Sequence, residues 1–488
     1  MESETLWGRQ RRIFEFFRKM KENSKKAAVR PDFFGTVSIR RILLKIAPPV
    51  MLAQLIQALY NIVDSFFVGR YSDDALTAVT VIYPLQLIIV ALAVGTGVGV
   101  NTYMARKYAK NEEKSADAAA GTATVLAVLS WALFAGFAML ILEPYIRTSA
   151  TQPQAIRQAF TYGSIVCVGS LGTFLEGGWS KIHQSRGNML LPMLAQIAGA
   201  VTNVIFDPLL IFGIGPFPEL GIAGAAYATV LGQIVSACMV GVRGFRKPPR
   251  LRQMLHYAGR IYYYGYSSIL MQMLYTVYIV LLNMILAGFS DAAVTVLGLY
   301  YKAQSFFFIP LFGLQTCIVP VLSFNLARKN YARCRETMRE SILISLAFML
   351  VGMFCFLLLP EPLMHLFSHS KDVIRIGRTA FPIIGCSFLS AVFSLMMPVF
   401  FQAIGDGMTS LLLSMTRQIF CLVPIFWLLS KLGLSYTWIA FPIAETIAGG
   451  VGLLLYRRQL CRWCAVPLNK KQIGKGNSYA SRGTLSDV

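Results

Sequence analysis

Charged residues are scarce in this sequence. Asp, Glu, Lys and Arg make up only 14% of its 488 residues, whereas 56% are hydrophobic and the mean hydropathy is +0.57. No polar stretch between the apolar runs is long enough to fold as a soluble domain. The composition therefore excludes an ordinary soluble protein and is typical of an integral membrane protein.

Few residues of this sequence suit metal binding or disulfide formation. The chain has four histidines and nine cysteines, an odd number, and most of the cysteines lie inside apolar runs. No disulfide framework, metal site or cofactor is predicted. Gly95, Gly97 and Gly99 lie in an apolar run without a preceding strand, which indicates close helix packing rather than a nucleotide-binding loop.

The apolar runs are long enough to predict twelve membrane spans, from Leu43–Gly69 to Ser435–Leu455. Most of the 45 Lys and Arg residues fall on the side that carries both termini. The positive-inside rule then predicts a multi-pass protein of the cell membrane with both termini in the cytoplasm. A net charge of +22 sorted in this way argues against a nucleic-acid partner, so the lipid bilayer is the expected partner.

The chain also repeats itself at one offset. Ser72-Asp73 recurs as Ser290-Asp291, and Tyr83 and Gln86 recur as Tyr301 and Gln304, each 218 residues later. The predicted fold is therefore all-α, with twelve transmembrane helices in two six-helix bundles. Because six is even, the bundles are parallel and related by a pseudo-two-fold axis along the membrane normal. Transporters often bind substrate between such halves, although a duplication can also simply enlarge a helical bundle.

Five segments follow from this reading. They are a basic cytoplasmic arm (1–41), an N-terminal lobe (42–242), a cytoplasmic linker (243–260), a C-terminal lobe (261–456) and a cytoplasmic tail (457–488). The arm alternates aromatic and basic residues, which suits either an amphipathic helix on an anionic leaflet or a disordered leader.

Asp64 is the most informative residue, because a carboxylate inside an apolar span is costly and marks a functional site by default. Gln54, Gln57 and Asn61 precede it at helical spacing, so the four side chains share one face of the helix. A polar stripe of this kind is predicted to face protein or water rather than lipid.

Asp207 in the fifth span is a second acid of this kind. Gln196 and Asn203 share its helix face, and Pro208 follows it. Asp64 and Asp207 both lie roughly 8–9 Å below the outer edge at 1.5 Å per residue, so they meet if their helices are neighbours. In the sixth span, Thr229 is placed to supply a further oxygen.

Two carboxylates in contact at low dielectric do not both stay ionised unless a cation sits between them. The all-oxygen ligand set predicts H⁺ or Na⁺ as the guest rather than zinc. The alternative is a hydrogen-bonded cluster that only ties helices together.

The C-terminal half differs at the equivalent positions. Asp64 maps to Leu282 and Asp207 to Ile425 at the 218-residue offset. Lys302 and Glu445 lie at similar depths, and we predict that they pair as a structural tie. Methionines and tyrosines such as Tyr275 and Tyr278 in the seventh span suit either plain packing or a cavity for varied cationic ligands.

Several motifs together resemble the multidrug and toxic compound extrusion (MATE) family. The first span carries Ala47-Pro48-Pro49 and Asn61-Ile62-Val63-Asp64, and the fifth span carries Asn203-x-x-x-Asp207-Pro208. Gln184-x-x-Gly187-Asn188 is similar to the loop that precedes the family's fifth span. The resemblance extends over roughly residues 42–456.

This resemblance implies an antiporter that exports cationic amphipathic compounds in exchange for H⁺ or Na⁺. It places the coupling site at Asp64 and Asp207, with Asn203 and Thr229 as partners, and a hinge of the first helix at Pro49. The absence of acids from the seventh and eighth spans favours the family's DinF-like bacterial branch. A monomer without catalytic residues is expected.

Two other functions are weighed against this one. A flippase or exporter of a lipid-linked or polysaccharide precursor needs basic cavity residues for pyrophosphate, and only Lys302 and Arg417 are candidates. A membrane-embedded aspartyl protease would also use two acids. Asp64 and Asp207 lack the flanking glycines of that class, and the duplication has no role in it.

Overall fold

The computed structural model describes residues 33–149, 152–365 and 370–464, and these residues form helices and connecting turns without a strand. Ten of their helices are long and apolar enough to cross a membrane, and one bent pair raises the number to eleven. The remaining predicted span, Phe160–Ile182, is a helix broken near Ser170 that carries Glu176 and Lys181. The all-α, two-bundle membrane fold is thereby confirmed. Helices suit this environment because each one satisfies its backbone hydrogen bonds internally, as lipid requires.

The N-terminal lobe contains eight helices in the described residues. In chain order they are α1 (Phe33–Thr36), α2 (Ile39–Tyr71), α3 (Asp73–Ala109), α4 (Glu113–Ser149), α5 (Pro153–Gly169), α6 (Leu171–Ser185), α7 (Leu190–Ile211) and α8 (Ile222–Gly244).

The C-terminal lobe repeats this arrangement with more interruptions. Its helices are α9 (Leu251–Ala287), α10 (Asp291–Phe307), α11 (Ile309–Ala327), α12 (Tyr331–Leu358), α13 (Pro360–His365), α14 (Lys371–Gly385), α15 (Phe388–Ile404), α16 (Gly407–Met415), a π-helix (Thr416–Leu422), α17 (Val423–Ser430), α18 (Leu434–Thr437) and α19 (Ala440–Cys464).

Some helices extend well beyond the predicted spans. Helix α9 begins at Leu251, ten residues before the predicted start of the C-terminal lobe at Ile261, and α19 continues to Cys464. Both extensions carry exposed basic residues, such as Arg252 and Arg462. A hydropathy pattern reports the thickness of the apolar layer rather than the length of a helix. Residues 1–32 of the predicted arm lie outside the described residues, whereas its last residues form α1 and the start of α2.

The two lobes are hydrogen-bonded to each other at one end of the bundle. We call this end, where α2 begins and α3 and α11 end, the closed face. Arginines supply most of the donors: Arg106 Nη2 to Ala403 O (3.1 Å), Arg328 Nε to Ala109 O (3.0 Å), Arg333 Nη2 to Phe34 O (3.0 Å) and Arg40 Nε to Glu340 Oε2 (2.8 Å). Because arginine stays charged and offers five N–H groups, it suits a contact with exposed helix-end carbonyls.

Glycines let α3 and α9 touch at the closed face, as the sequence predicted for this segment. A Cβ added to Gly99 would lie 2.1 Å from the carbonyl oxygen of Ile261, and one added to Gly95 would lie 2.8 Å from the backbone nitrogen of Ile269. Gly265 faces the same contact from α9. Only small residues allow backbones to approach this closely in a membrane.

Replacing Gly99 with alanine is expected to open the closed face. The new methyl group overlaps the Ile261 carbonyl, so α3 and α9 must separate. The equilibrium of the lobes then shifts towards a conformation in which the closed face is open. A cysteine pair placed at Arg40 and Glu340 measures this, and its cross-linked fraction should fall by at least about half in the variant.

Gly259→Ala is the matched control, because a Cβ at Gly259 on the same helix as Ile261 meets open space. Equal cross-linking in Gly99→Ala and Gly259→Ala would show that the contact does not hold the closed face together.

Candidate functional site

The structure brings the two acids of the N-terminal lobe together. Helices α2 and α7 are neighbours, and the carboxyl groups of Asp64 and Asp207 lie within hydrogen-bonding range of each other. Asp207 is fully buried and Asp64 is partly exposed. The pair therefore connects the interior of the lobe with its surface.

Asn203 and Thr229 form a hydrogen-bonded group with this pair. Asn203 Nδ2 donates to Asp207 Oδ1 at 3.1 Å and, at 3.4 Å, to Thr229 Oγ1 on α8. Asn203 and Asp207 are one helical turn apart on α7, so the amide reaches the carboxylate along the same face. Pro208 lacks a backbone N–H, which leaves the carbonyl of Val204 without its usual helical donor beside the acid.

Two further residues belong to the site and were not among the predicted ones. Tyr162 of α5 is buried, interacts with Thr229 and accepts a hydrogen bond of 3.1 Å from Gln86 Nε2 of α3. The repetition of Gln86 as Gln304 was the only sequence signal for either of them. With them, side chains from five helices of the lobe meet at one place.

Three oxygens of this cluster are buried without a hydrogen-bond donor. They are Asp64 Oδ1, Asp207 Oδ2 and Asn203 Oδ1. Buried polar atoms are normally satisfied, so three acceptors without a donor at one place make this cluster a candidate site for a positive guest. Oxygen ligands suit a proton or a hard cation, and either one relieves the repulsion of two carboxylates at low dielectric.

The remaining members of the predicted polar stripe divide between two places. On α2, Gln57 and Asn61 are exposed and Gln54 is partly buried, as for a stripe along a cleft. Gln196 is a correction, because its amide hydrogen-bonds Glu176 rather than the acid pair. Gln196 lies two helical turns from Asn203, roughly 10 Å along α7. Residues that share a helix face can therefore belong to different clusters.

Glu176 and its neighbours form a separate polar cluster on α6. Ser180 Oγ donates to Glu176 Oε1 at 2.6 Å, and Lys181 lies close enough to interact electrostatically with Glu176. Pro49, the predicted hinge, lies inside a continuous α2 in this conformation. The hinge therefore stays a prediction.

The predicted Lys302–Glu445 pair is wrong. Glu445 is paired with Arg417, whose Nη2 lies 2.7 Å from Glu445 Oε1 and whose Nε contacts both carboxylate oxygens, and Ser394 Oγ donates to the same carboxylate. Arg417 lies in the π-helix, where the wider turn changes side-chain directions relative to an α-helix. A similar position along two spans does not show that two side chains point towards each other around their helices.

The C-terminal lobe has an apolar interior where the N-terminal lobe has its acids. Leu282, the equivalent of Asp64, is fully buried among hydrophobic residues. The two lobes therefore have similar backbones but different chemistry, with unsatisfied acid oxygens in one and a satisfied ion pair in the other.

Two parallel membrane-embedded lobes, joined at one face and with two acids in contact inside only one of them, define a transporter rather than an enzyme. A family model described as MatE matches residues 49–209 and again residues 267–428. The two matches begin 218 residues apart, at residues 49 and 267, which is the offset of the repeated motifs. The chain belongs to this family, the multidrug and toxic compound extrusion transporters.

Relatives align with most of the chain. A FAD transporter of Shewanella oneidensis is 24% identical over 428 residues, which is 86% of this chain and 95% of that protein. A probable multidrug resistance protein NorM of Thermotoga maritima is 24% identical over 444 residues, 86% of this chain and 92% of that protein.

A solved structure shares the fold. A transporter of the MOP superfamily from Pyrococcus furiosus superposes with a TM-score of 0.83 at 22% sequence identity, covering 90% of this chain and 99% of that one. Its binding pocket is described as having reverse polarity.

Proposed function

We propose that this protein is a secondary antiporter that exports cationic amphipathic compounds from the cell in exchange for H⁺ or Na⁺. The single observation that carries the proposal is the contact between Asp64 and Asp207, with three buried oxygens left without donors. Such a group binds one positive guest and changes its net charge when it does so. Family membership supports the export of drugs or toxic compounds.

Alternating access between the lobes follows from this charge change. An ion that enters from the side opposite the closed face neutralises the pair and alters the packing of α2 against α7. We place the closed face in the cytoplasm, because the basic loops lie at that end, and we propose that the protein acts as a monomer in the cell membrane. Release of drug outward and of the ion inward then completes one cycle.

The alternative of a precursor flippase loses support from the C-terminal lobe. Arg417 is buried against Glu445 and is not available for a pyrophosphate. Of the two basic candidates named from the sequence, only Lys302 is left, and one lysine makes a poor diphosphate site. Relatives are named for both multidrug resistance and FAD transport, so family membership does not define the substrate.

Purified protein in proteoliposomes tests the proposal. With a cationic dye on one side, we expect uphill dye movement under either an imposed pH gradient or an imposed Na⁺ gradient, and none when both are absent. The gradient that works identifies the coupling ion, since an ion drives transport only by binding one conformation better than the other. Dye movement at the same rate with and without gradients would overturn the antiport proposal.

A further inference from the structure

One face of α10 is polar and exposed within the membrane region. Thr295, Gly298, Lys302 and Ser305 follow at i, i+3, i+7 and i+10, and all four are exposed. The opposite face carries the buried Leu297, Tyr300 and Ala303, which pack into the C-terminal lobe. Helix α10 therefore has one apolar face and one polar face within the membrane region, and Lys302 lies near the centre of the polar face.

This polar face points to the cleft between the lobes. Helix α10 contacts α9 of its own lobe and α2 of the other lobe, so it borders the interface. A lysine near the middle of a membrane helix is costly against hydrocarbon and is normally found against protein or a watered cavity. A face that carries this lysine avoids that cost when it borders the cleft rather than lipid.

Lys302 has no acid partner within the described part of the chain. Glu445, the acid at its depth, is already bound by Arg417 and Ser394. The acids of the site are held in the other lobe, where Asp64 and Asp207 contact each other. The Lys302 ammonium therefore has no carboxylate of this part of the chain to neutralise it.

A cluster of aromatic rings begins at the residue that precedes this cation. Tyr301, next to Lys302, makes edge contacts with Tyr275 and Tyr278 of α9, at 6.4 Å between ring centroids in each case. From the other lobe, Tyr83 is 54% exposed and lies near Tyr275. Tyrosines on both lobes offer flat apolar surfaces, and such surfaces stack on planar aromatic compounds.

We propose that Lys302 is the substrate-binding residue for an acidic group, so that the cleft takes planar aromatic compounds bearing a carboxylate or a phosphate. The aromatic part packs between Tyr83, Tyr275 and Tyr301, and the Lys302 ammonium donates charge-assisted hydrogen bonds to the anion. The inference rests on the proposed export function and extends its substrate class from cationic compounds to aromatic compounds that carry an acidic group. It adds an anionic contact in one lobe to the cation site in the other.

Xanthene dyes test the carboxylate arm, since fluorescein is anionic and rhodamine 6G is cationic on the same ring system. Riboflavin 5′-phosphate and riboflavin form the matching pair for phosphate. In proteoliposomes, Lys302→Met should lower uptake of fluorescein, or of the flavin phosphate, by at least about tenfold and leave rhodamine 6G uptake within about twofold of wild type.

Two variants keep the result interpretable. Lys302→Arg retains the charge and should retain anion transport, whereas Lys371→Met removes an exposed cation at the start of α14 and should change nothing. If Lys302→Met transports anionic and cationic dyes as wild type does, the Lys302 inference is wrong while export stands. If wild-type protein moves neither dye, the proposed export function itself is wrong.

Discussion

Replacing Asp207 with asparagine is expected to abolish coupled export while leaving membrane insertion intact. Asparagine preserves the shape of the side chain and its contact with Asn203, but removes the charge that attracts the ion. An ion that no longer distinguishes the two conformations of the transporter shifts neither, so export falls at least about tenfold, towards background. The measurement is dye export from cells and from proteoliposomes, together with the amount of inserted protein.

A charge removed elsewhere on the same protein is the control. Asp372→Asn breaks an exposed pair with Arg375 at 3.0 Å and should leave export unchanged. Asp64→Asn should behave as Asp207→Asn does, because the two carboxyl groups act as one site. Full drug resistance in cells that carry Asp207→Asn would contradict the proposed coupling role.

Breaking the buried pair of the C-terminal lobe is expected to cause the largest loss of stability. Glu445→Gln leaves the Arg417 guanidinium buried and uncompensated, with side-chain exposure of only 10% for Arg417 and 5% for Glu445. Removing one partner of a buried ion pair typically costs about 3–5 kcal/mol. Thermal unfolding of the purified protein in detergent, and the yield of inserted protein, measure the loss.

The double variant Arg417→Met with Glu445→Leu separates charge from packing. It removes both charges and fills the space with apolar atoms, so most of the lost stability should return. Glu143→Gln is the matched control, because its pair with Arg147 has side chains that are 58% and 64% exposed, and such a pair contributes less than about 1 kcal/mol. A double variant no more stable than Glu445→Gln would show that the pair itself, not the unpaired charge, matters.

The buried charged groups of the two lobes differ in chemistry despite the duplication. In the N-terminal lobe, like charges meet and oxygens are left without donors, which favours the binding and release of an ion. In the C-terminal lobe, opposite charges satisfy each other and hold α19 against the π-helix. The proposed coupling site thus belongs to one lobe, whereas the buried pair of the other lobe is fully satisfied.

Much of the candidate site was predictable from residue type and depth. Asp64 and Asp207 are costly in an apolar span, and their equal distance from the span ends indicated that they meet. Asn203 follows from the helical spacing that it shares with Asp207. Gln86 and Tyr162 were missed because each comes from a different helix, and spacing within one helix carries no information about its neighbours.

The sequence by itself determined the membrane fold, its twelve spans and its internal duplication, because a bilayer demands apolar length and internally bonded backbones whatever the side chains do. Only the tertiary structure decided which charges pair, that Lys302 lies without an acid partner in the described part of the chain, and that arginines and glycines close one face. Those outcomes depend on which helices are neighbours and on the direction of each side chain around its axis. A π-helical turn such as Thr416–Leu422 changes that direction without a clear trace in the sequence.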